Sequence, residues 1–274
     1  MLSDLPSLTE TVRRHGLRAH KSLGQHFLLD RNITDKIASF CDLPARVLEV
    51  GPGPGGLTRS LIAAGATEVV AIEADERFLP ALDELSDATG ALRVVHGDAL
   101  KVEAARHVEA PYVIASNLPY NVGTKLLLDW LAQEPRPWTQ MVLMFQLEVA
   151  QRVTAEVGTA AYGRLAVLAQ SVCEVDLRMY VPARAFSPPP KVDSAVVVCR
   201  PLAEPYADLA ALAKVTAAAF GQRRKMLRAA LKSYAKSNGL DATDWLEGAG
   251  LDPTARAETV PVEGFHRLVD SLPG

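Results

Sequence analysis

The chain has 274 residues, of which 49% are hydrophobic and 22% charged, with a formal net charge of -3. That length suits one large domain, or one domain with a smaller appendage. The near-neutral balance excludes a uniformly basic coat, so any polyanion site must come from local charge placement. Cys41, Cys173 and Cys199 form no CxxC pair, which predicts reduced thiols without disulfides or a zinc site. No apolar run approaches ~18 residues, so no membrane span is expected. The opening "MLSDLPSLTE" has neither a basic n-region nor an apolar h-region, which predicts no signal peptide and a cytoplasmic protein.

In chain order, "RVLEV" (46–50), "EVVAIE" (68–73), "LRVVHG" (92–97), "YVIASN" (112–117) and "QMVLMFQ" (140–146) read as strands. They are rich in β-branched residues and bounded by Gly or Pro. Helical spacing fills "LTRSLIAAG", "DERFLPALDELSDA", a crossover over 98–110 and "TKLLLDWLAQ". This alternation predicts a mostly parallel, doubly wound α/β sheet. "VCEVDLRMY" (172–180) and "KVDSAVVVCR" (191–200) can close it as an antiparallel pair. After residue 203 only helical spacing remains, over 207–237, 242–249 and 262–271. The expected domains are therefore 1–203, carrying a basic N-terminal helical segment, and a helical domain over 204–274.

"EVGPGPGGLT" (49–58) follows the first strand and opens a helix. Gly51, Gly53 and Gly56 match G-x-G-x-x-G, and Glu73 ends the next strand about 20 residues on, as in dinucleotide sites. Glu49, at the mouth of the loop, would repel a pyrophosphate and suits a ligand carrying an ammonium. The loop has no Lys or Arg. S-adenosylmethionine therefore fits better than NAD: it has a ribose for Glu73, no phosphate and a sulfonium charge. Asp98, at the edge of the third strand, can accept from an adenine amine, or can simply cap the following turn.

The fourth strand ends in "SNLPY". Asn117 offers a side-chain acceptor, the turn through Leu118 and Pro119 can aim a main-chain carbonyl, and Tyr120 offers a stacking face. Two acceptors beside an aromatic suit an exocyclic amine on a planar base. By themselves these four residues read equally well as an Asx-type turn packing Tyr120.

With these motifs assembled, the sequence closely resembles the ribosomal RNA adenine N6,N6-dimethyltransferases over nearly its whole length. "KSLGQHFLLD" (21–30), "EVGPGPGGLT", "IEAD", "GDAL", "NLPY", "AFSPPPKVDSAV" (185–196) and "AFGQRRKMLRAAL" (219–231) stand in the family's order. The resemblance implies a Rossmann-like class I methyltransferase with a small C-terminal helical domain. It implies that two adjacent adenosines in a hairpin near the 3′ end of small-subunit (16S) rRNA each receive two methyl groups from S-adenosylmethionine. Carried over residue by residue, His26, Leu28, Gly51, Glu73, Asp98 and Asn117 contact cofactor. Asn117, with the Leu118 or Pro119 carbonyl, holds the substrate amine. Tyr120 and Phe186 sandwich the flipped adenine, Phe186 standing on an exposed, proline-stiffened loop.

Charge placement supports an RNA partner. Residues 220–236 hold Arg223, Arg224, Lys225, Arg228, Lys232 and Lys236 and no acid, and residues 11–29 hold Arg13, Arg14, Arg18 and Lys21 before the first acid. These are expected phosphate contacts, the first cluster lying on a C-terminal basic helix, although such runs are often only solvated faces. Residues 241–274 hold seven acidic and two basic residues, an end expected to face away from RNA. The expected partner is 16S rRNA in the small subunit, met by a monomer. The alternatives are a large-subunit rRNA adenine methyltransferase of the macrolide-resistance type, a largely non-catalytic assembly factor, and an NAD-dependent dehydrogenase. Glu49 and the lack of a hydride-transfer acid/base weigh against the last.

Overall fold

The computed structural model describes residues 5–19 and 25–273; Lys21 lies outside them. The chain opens with α1 (Leu8–Arg14), whose first turn is capped by the Ser7 side chain accepting the Glu10 N–H. A two-residue strand, β1 (Phe27–Leu28), precedes α2 (Arg31–Ala38), which Asp30 caps at the Asn32 N–H. The alternation follows as β2 (Arg46–Val50), α3 (Gly56–Ala63), β3 (Glu68–Glu73), α4 (Leu79–Thr89), β4 (Leu92–His96), β5 (Tyr112–Asn117), α5 (Gly123–Leu131) and β6 (Trp138–Gln146). Beyond it come α6 (Leu147–Val153), α7 (Arg164–Gln170), β7 (Cys173–Val181), β8 (Phe186–Ser187) and β9 (Ser194–Pro201).

Seven strands form one sheet in the order β4-β3-β2-β5-β6-β9-β7. The first five run parallel, and β9 pairs antiparallel with β6. The central strands β2, β3, β5 and β9 are buried along nearly their whole length, whereas β7 at the edge alternates exposed and half-buried residues. That is the pattern that burial on two faces, and on one, imposes. The strand order runs outward from β2 through β3 to β4, then reverses at β5. Leu57 and Leu61 of α3 and Leu82 and Leu85 of α4 share one core cluster with Val47, Val69 and Val113, whereas the buried Leu126, Leu127 and Trp130 of α5 lie outside it, as crossovers of one hand on either side of a strand-order reversal would place them.

One expected helix is absent. Over 98–110 the chain forms turns and a short 3₁₀ segment, Ala104–Arg106. The Asp98 carbonyl accepts the Lys101 and Val102 N–H groups at 2.8 and 2.9 Å, which closes the chain into a turn directly after β4. A second pair of short strands, β1 and β8, joins Leu28 to Phe186. Neither is long enough to register as a strand in sequence.

The chain divides into two compact units, 1–150 with 176–200, and 151–175 with 201–274. The second unit thus takes in residues 151–175 as well as the chain from Pro201 onward. There the Tyr162 hydroxyl donates to the Val260 carbonyl at 2.9 Å, and the Gly158 N–H donates to the Glu258 carbonyl at 2.8 Å. The tail contributes α8 (Leu209–Gly221), α9 (Leu227–Ala230), α10 (Lys232–Ser237), α11 (Ala242–Gly248) and α12 (Val262–Asp270). The expected basic helix is thus not continuous. It breaks after Gly221, where the Lys225 N–H turns back to the Gln222 carbonyl and the Leu227 N–H is drawn to the Ala255 carbonyl, both at 2.8 Å. Among the described residues, no helix is long and apolar enough to cross a membrane.

Candidate active site

The reversal of strand order between β2 and β5 opens a crevice at the carboxyl ends of the strands, where open α/β sheets bind ligands. Ladder pairing between the two strands ends at Leu48 and Ile114. Just beyond, the Ser116 hydroxyl donates to the Val50 carbonyl and bridges the parting chains. A cavity of about 800 Å³ fills this crevice, a volume that suits a nucleoside-sized ligand.

The glycine loop forms one wall. Gly51 and Gly53 take φ of 68° and 54°, which side-chain-bearing residues rarely adopt. Gly56 serves a different purpose: a Cβ there would stand 2.9 Å from the Leu28 carbonyl oxygen. Its absence lets β1 lie against the start of α3 and cover the cavity.

The acids behave differently from one another. The sequence places Glu49 as a charge at the loop mouth; the structure buries it, 1% exposed, with the Thr58 hydroxyl donating to its carboxylate at 2.7 Å. Burial pushes its pKa up to about 8, the Thr58 bond opposing and the charge of Glu73 adding to the shift. Because the folded-state value is raised, the proton stabilises the fold in full below the usual carboxylate range, and that stabilisation is lost as pH rises to about 8. Glu49→Gln should therefore flatten the decline of the cofactor-free protein's thermal midpoint across that window. An unchanged slope would place the titration elsewhere.

Glu73 is also buried, and its two oxygens accept the Gly53 N–H at 3.0 Å and the Asp75 N–H at 2.9 Å. It thus holds the glycine loop as well as facing the cavity. Burial is again the largest influence on its pKa and raises it. Asp98 is exposed at the cavity rim, with one oxygen accepting the Leu100 N–H at 3.0 Å and the other 3.7 Å from the Lys101 ammonium.

At the end of β5 the Asn117 side-chain amide has no protein partner among the described residues and faces the cavity. The Pro119 carbonyl accepts the Val122 and Gly123 N–H groups, at 3.2 and 3.0 Å, and so is committed to starting α5. Of the two candidate carbonyls, only that of Leu118 is left without a backbone partner among the described residues. The Leu118 side chain is buried and anchors the turn. The Tyr120 ring lines the cavity 5.8 Å from the His26 ring, and its hydroxyl is 2.7 Å from the Ser194 hydroxyl. Burial raises the pKa of that phenol, which rules it out as a base at neutral pH.

Phe186 is not exposed. It is 4% accessible and packs within the core cluster, while its ring still lines the cavity. Pairing of β8 with β1 draws the aromatic inward, where its apolar area leaves water. His26 and Leu28 reach the cavity from the segment that carries β1, the His26 Nδ1 standing 2.7 Å from the Pro188 carbonyl oxygen.

The structure therefore brings every sequence-predicted cofactor and base residue to one cavity. The basic residues are not among those lining it. Arg223, expected on phosphate, is instead held by Glu258 at 2.7 Å and by the Thr159 carbonyl at 3.2 Å. That acidic partner lies in the very segment expected to face away from RNA. Arg224, Lys225, Arg228, Lys232 and Lys236 are exposed and make no ion pair among the described residues, although the charge of Arg228 helps lower the pKa of Asp252. Arg13 pairs with Glu10 and Arg14 with Glu84, whereas Arg18 is exposed with no acid bound to its side chain among the described residues. Thr58, Gln25, Asp75 and Arg77 also line or brace the site without having been legible as such. Only the acid–base spacing in "EADER" hinted at the last two.

The residues fit S-adenosylmethionine: two buried acids, an exposed third acid at the rim and a glycine loop without cations surround a cavity of the right size. A model of the family "Ribosomal RNA adenine dimethylase" matches residues 16–273. A ribosomal RNA small subunit methyltransferase A from Phenylobacterium zucineum is 55% identical, the alignment covering 98% of this chain and 94% of that one. Its counterpart from Maricaulis maris is 53% identical over 97% and 95%. Among solved structures, a dimethyladenosine transferase from Plasmodium falciparum is similar with a TM-score of 0.73 at 27% identity, covering 89% of this chain and 96% of that one. The 23S rRNA methyltransferase ErmE is similar with a TM-score of 0.68 at 31% identity, covering 90% and 99%. The chain belongs to the ribosomal RNA adenine dimethylase family, and it is an enzyme that transfers methyl groups from S-adenosylmethionine to ribosomal RNA.

Proposed function

We propose that the protein dimethylates the N6 amines of two adjacent adenosines in a hairpin near the 3′ end of 16S rRNA, within the small ribosomal subunit. Two methyl groups on each base consume four S-adenosylmethionine molecules. The observation that carries this reading is the pair of uncommitted acceptors, the Asn117 side chain and the Leu118 carbonyl, at the cavity edge beside Tyr120 and Phe186.

S-adenosylmethionine supplies an electrophilic methyl group on a sulfonium. Glu49 would face the ammonium of its amino-acid end, Glu73 the ribose hydroxyls and Asp98 the adenine amine. His26, Leu28, Gly51 and Gly53 complete the walls. The target adenine leaves its stack, which a hairpin loop makes cheap, and enters between Tyr120 and Phe186. Its N6 lone pair is delocalised and weakly nucleophilic. Asn117 and Leu118 accept its two N–H bonds and turn the nitrogen toward a tetrahedral geometry aimed at the methyl carbon. The C–S electron pair leaves with sulfur as the N–C bond forms. The alkylated nitrogen is strongly acidic and gives its proton to water, so the chain needs no general base; Tyr120, with its raised pKa, is not one.

The small-subunit assignment rests on relatives more than half identical over nearly the full chain. Likeness to ErmE makes large-subunit RNA the natural competing substrate. Incubation with labelled S-adenosylmethionine and unmodified small subunits should label the 3′-terminal hairpin adenosines. Label confined to large-subunit RNA, or binding without transfer, would overturn the assignment. The exposed cations of the second unit are read as phosphate contacts. Neutralising Arg224, Lys225, Arg228 and Lys232 together should reduce the slope of log affinity against log salt by roughly 3. Arg223→Gln should act mainly on stability, since its guanidinium is already held by Glu258. An unchanged salt slope in the quadruple variant would remove these residues from the RNA interface.

A further inference from the structure

The strap that carries β1 touches both halves of the site. On one side, the Gln25 amide donates to Asp75 Oδ2 at 2.8 Å, and Arg77 Nη2 donates to Gln25 Oε1 at 3.2 Å. Arg77 also pairs with the Asp75 carboxylate and donates to the Arg18 carbonyl at 3.2 Å. Asp75 in turn gives its backbone N–H to Glu73, the acid that grips Gly53. On the other side, Leu28 pairs with Phe186, Phe27 with Ser187, and the His26 ring meets the Pro188 carbonyl. Gln25, Asp75, Arg77 and Phe186 all border the same cavity. A chain of hydrogen bonds thus runs from the glycine loop through Glu73, Asp75, Arg77 and Gln25 into the strap, and from the strap into the loop that holds Phe186.

We propose that Gln25, Asp75 and Arg77 form a positioning clamp that couples the cofactor half of the site to the base half. None of the three reaches the reacting atoms. A ligand drawing on Glu73 fixes the segment from which Asp75 hangs, and the clamp passes that order through the strap to Phe186. A carboxylate flanked by a guanidinium and an amide suits this task, because a forked, charge-assisted bond holds direction as well as distance. The inference rests on the assigned cofactor and base roles of Glu73 and Phe186.

The test uses S-adenosylhomocysteine binding and amide hydrogen exchange on the full chain, without RNA. In the wild type, the ligand should slow exchange both at the glycine loop and at Phe186 and Ser187. In Arg77→Gln, affinity should fall by no more than a few-fold and glycine-loop protection should persist, while protection at Phe186 and Ser187 is lost. Turnover on small-subunit RNA should drop about tenfold or more in kcat, with the KM for S-adenosylmethionine little changed. Arg77→Lys, which keeps the charge but loses the fork, should recover only part of it. Gln25→Ala, which leaves the Asp75–Arg77 pair in place, should match Arg77→Gln, and the double variant should be no worse than either single one. Ligand protection that reaches Phe186 unaltered in both variants would overturn the clamp, even if transfer is confirmed. A wild type that binds and couples but does not methylate the RNA would instead refute the substrate assignment and leave the clamp standing.

Discussion

Asn117→Ala is expected to lower kcat about 10²–10³-fold while leaving S-adenosylmethionine affinity within a few-fold. The amide has no protein partner among the described residues, so its removal leaves nothing in the fold unpaired. The turn itself survives, because the Pro119 carbonyl still starts α5 and the Leu118 side chain still fills its buried site. What is lost is one of the two acceptors that strengthen as the nitrogen alkylates and its N–H bonds become more acidic. Single-turnover rates at saturating cofactor separate this from a binding defect. A variant that regains full rate once cofactor is saturating would place Asn117 on the cofactor alone. The second methylation adds a refinement. A monomethylated amine keeps one N–H, so one acceptor must release it, and the variant should show different losses for the first and second transfers.

Phe186 is expected to report two roles that different substitutions separate. Phe186→Ala should cost about 3–5 kcal/mol in stability, because a core aromatic is deleted and a cavity remains. Phe186→Leu should keep stability within about 1.5 kcal/mol, since apolar volume is largely conserved. If the ring also stacks on the target base, its loss removes roughly 1–3 kcal/mol of base binding. The leucine variant should then lose about tenfold or more in kcat/KM while unfolding in urea near the wild-type midpoint. Full activity in that variant would confine Phe186 to the core. Its position supports both roles at once: the β1–β8 pairing buries the residue, yet its ring still faces the cavity.

The sequence by itself determined the parallel sheet, the glycine loop and the acids that follow it. These depend on local signals: apolar runs of strand length, glycines where φ must be positive, and acids at strand ends. "RVLEV", "EVVAIE" and "YVIASN" became β2, β3 and β5 at the positions read from them. The NLPY turn was legible as an acceptor pair only in the company of Glu73 and Asp98, and which carbonyl belongs to the pair was not legible at all. That depended on the path of α5, whose first N–H groups use up the Pro119 carbonyl.

Tertiary structure alone decided the rest, and in each case the cause is a partner distant in sequence. Burial turned Glu49 from a surface charge into a group with a pKa of about 8. A two-residue pairing with β1 took Phe186 out of solvent, and such short strands carry no period to read. Glu258, 35 residues away, removed Arg223 from the free cations. Hydrogen bonds spanning 98 and 95 residues, from Tyr162 to Val260 and from Ser171 to His266, joined 151–175 to the C-terminal unit. Residue pattern fixes where a strand or a turn can form, because that cost is local. Whether a charge is free, buried or already paired depends on what the fold later brings beside it.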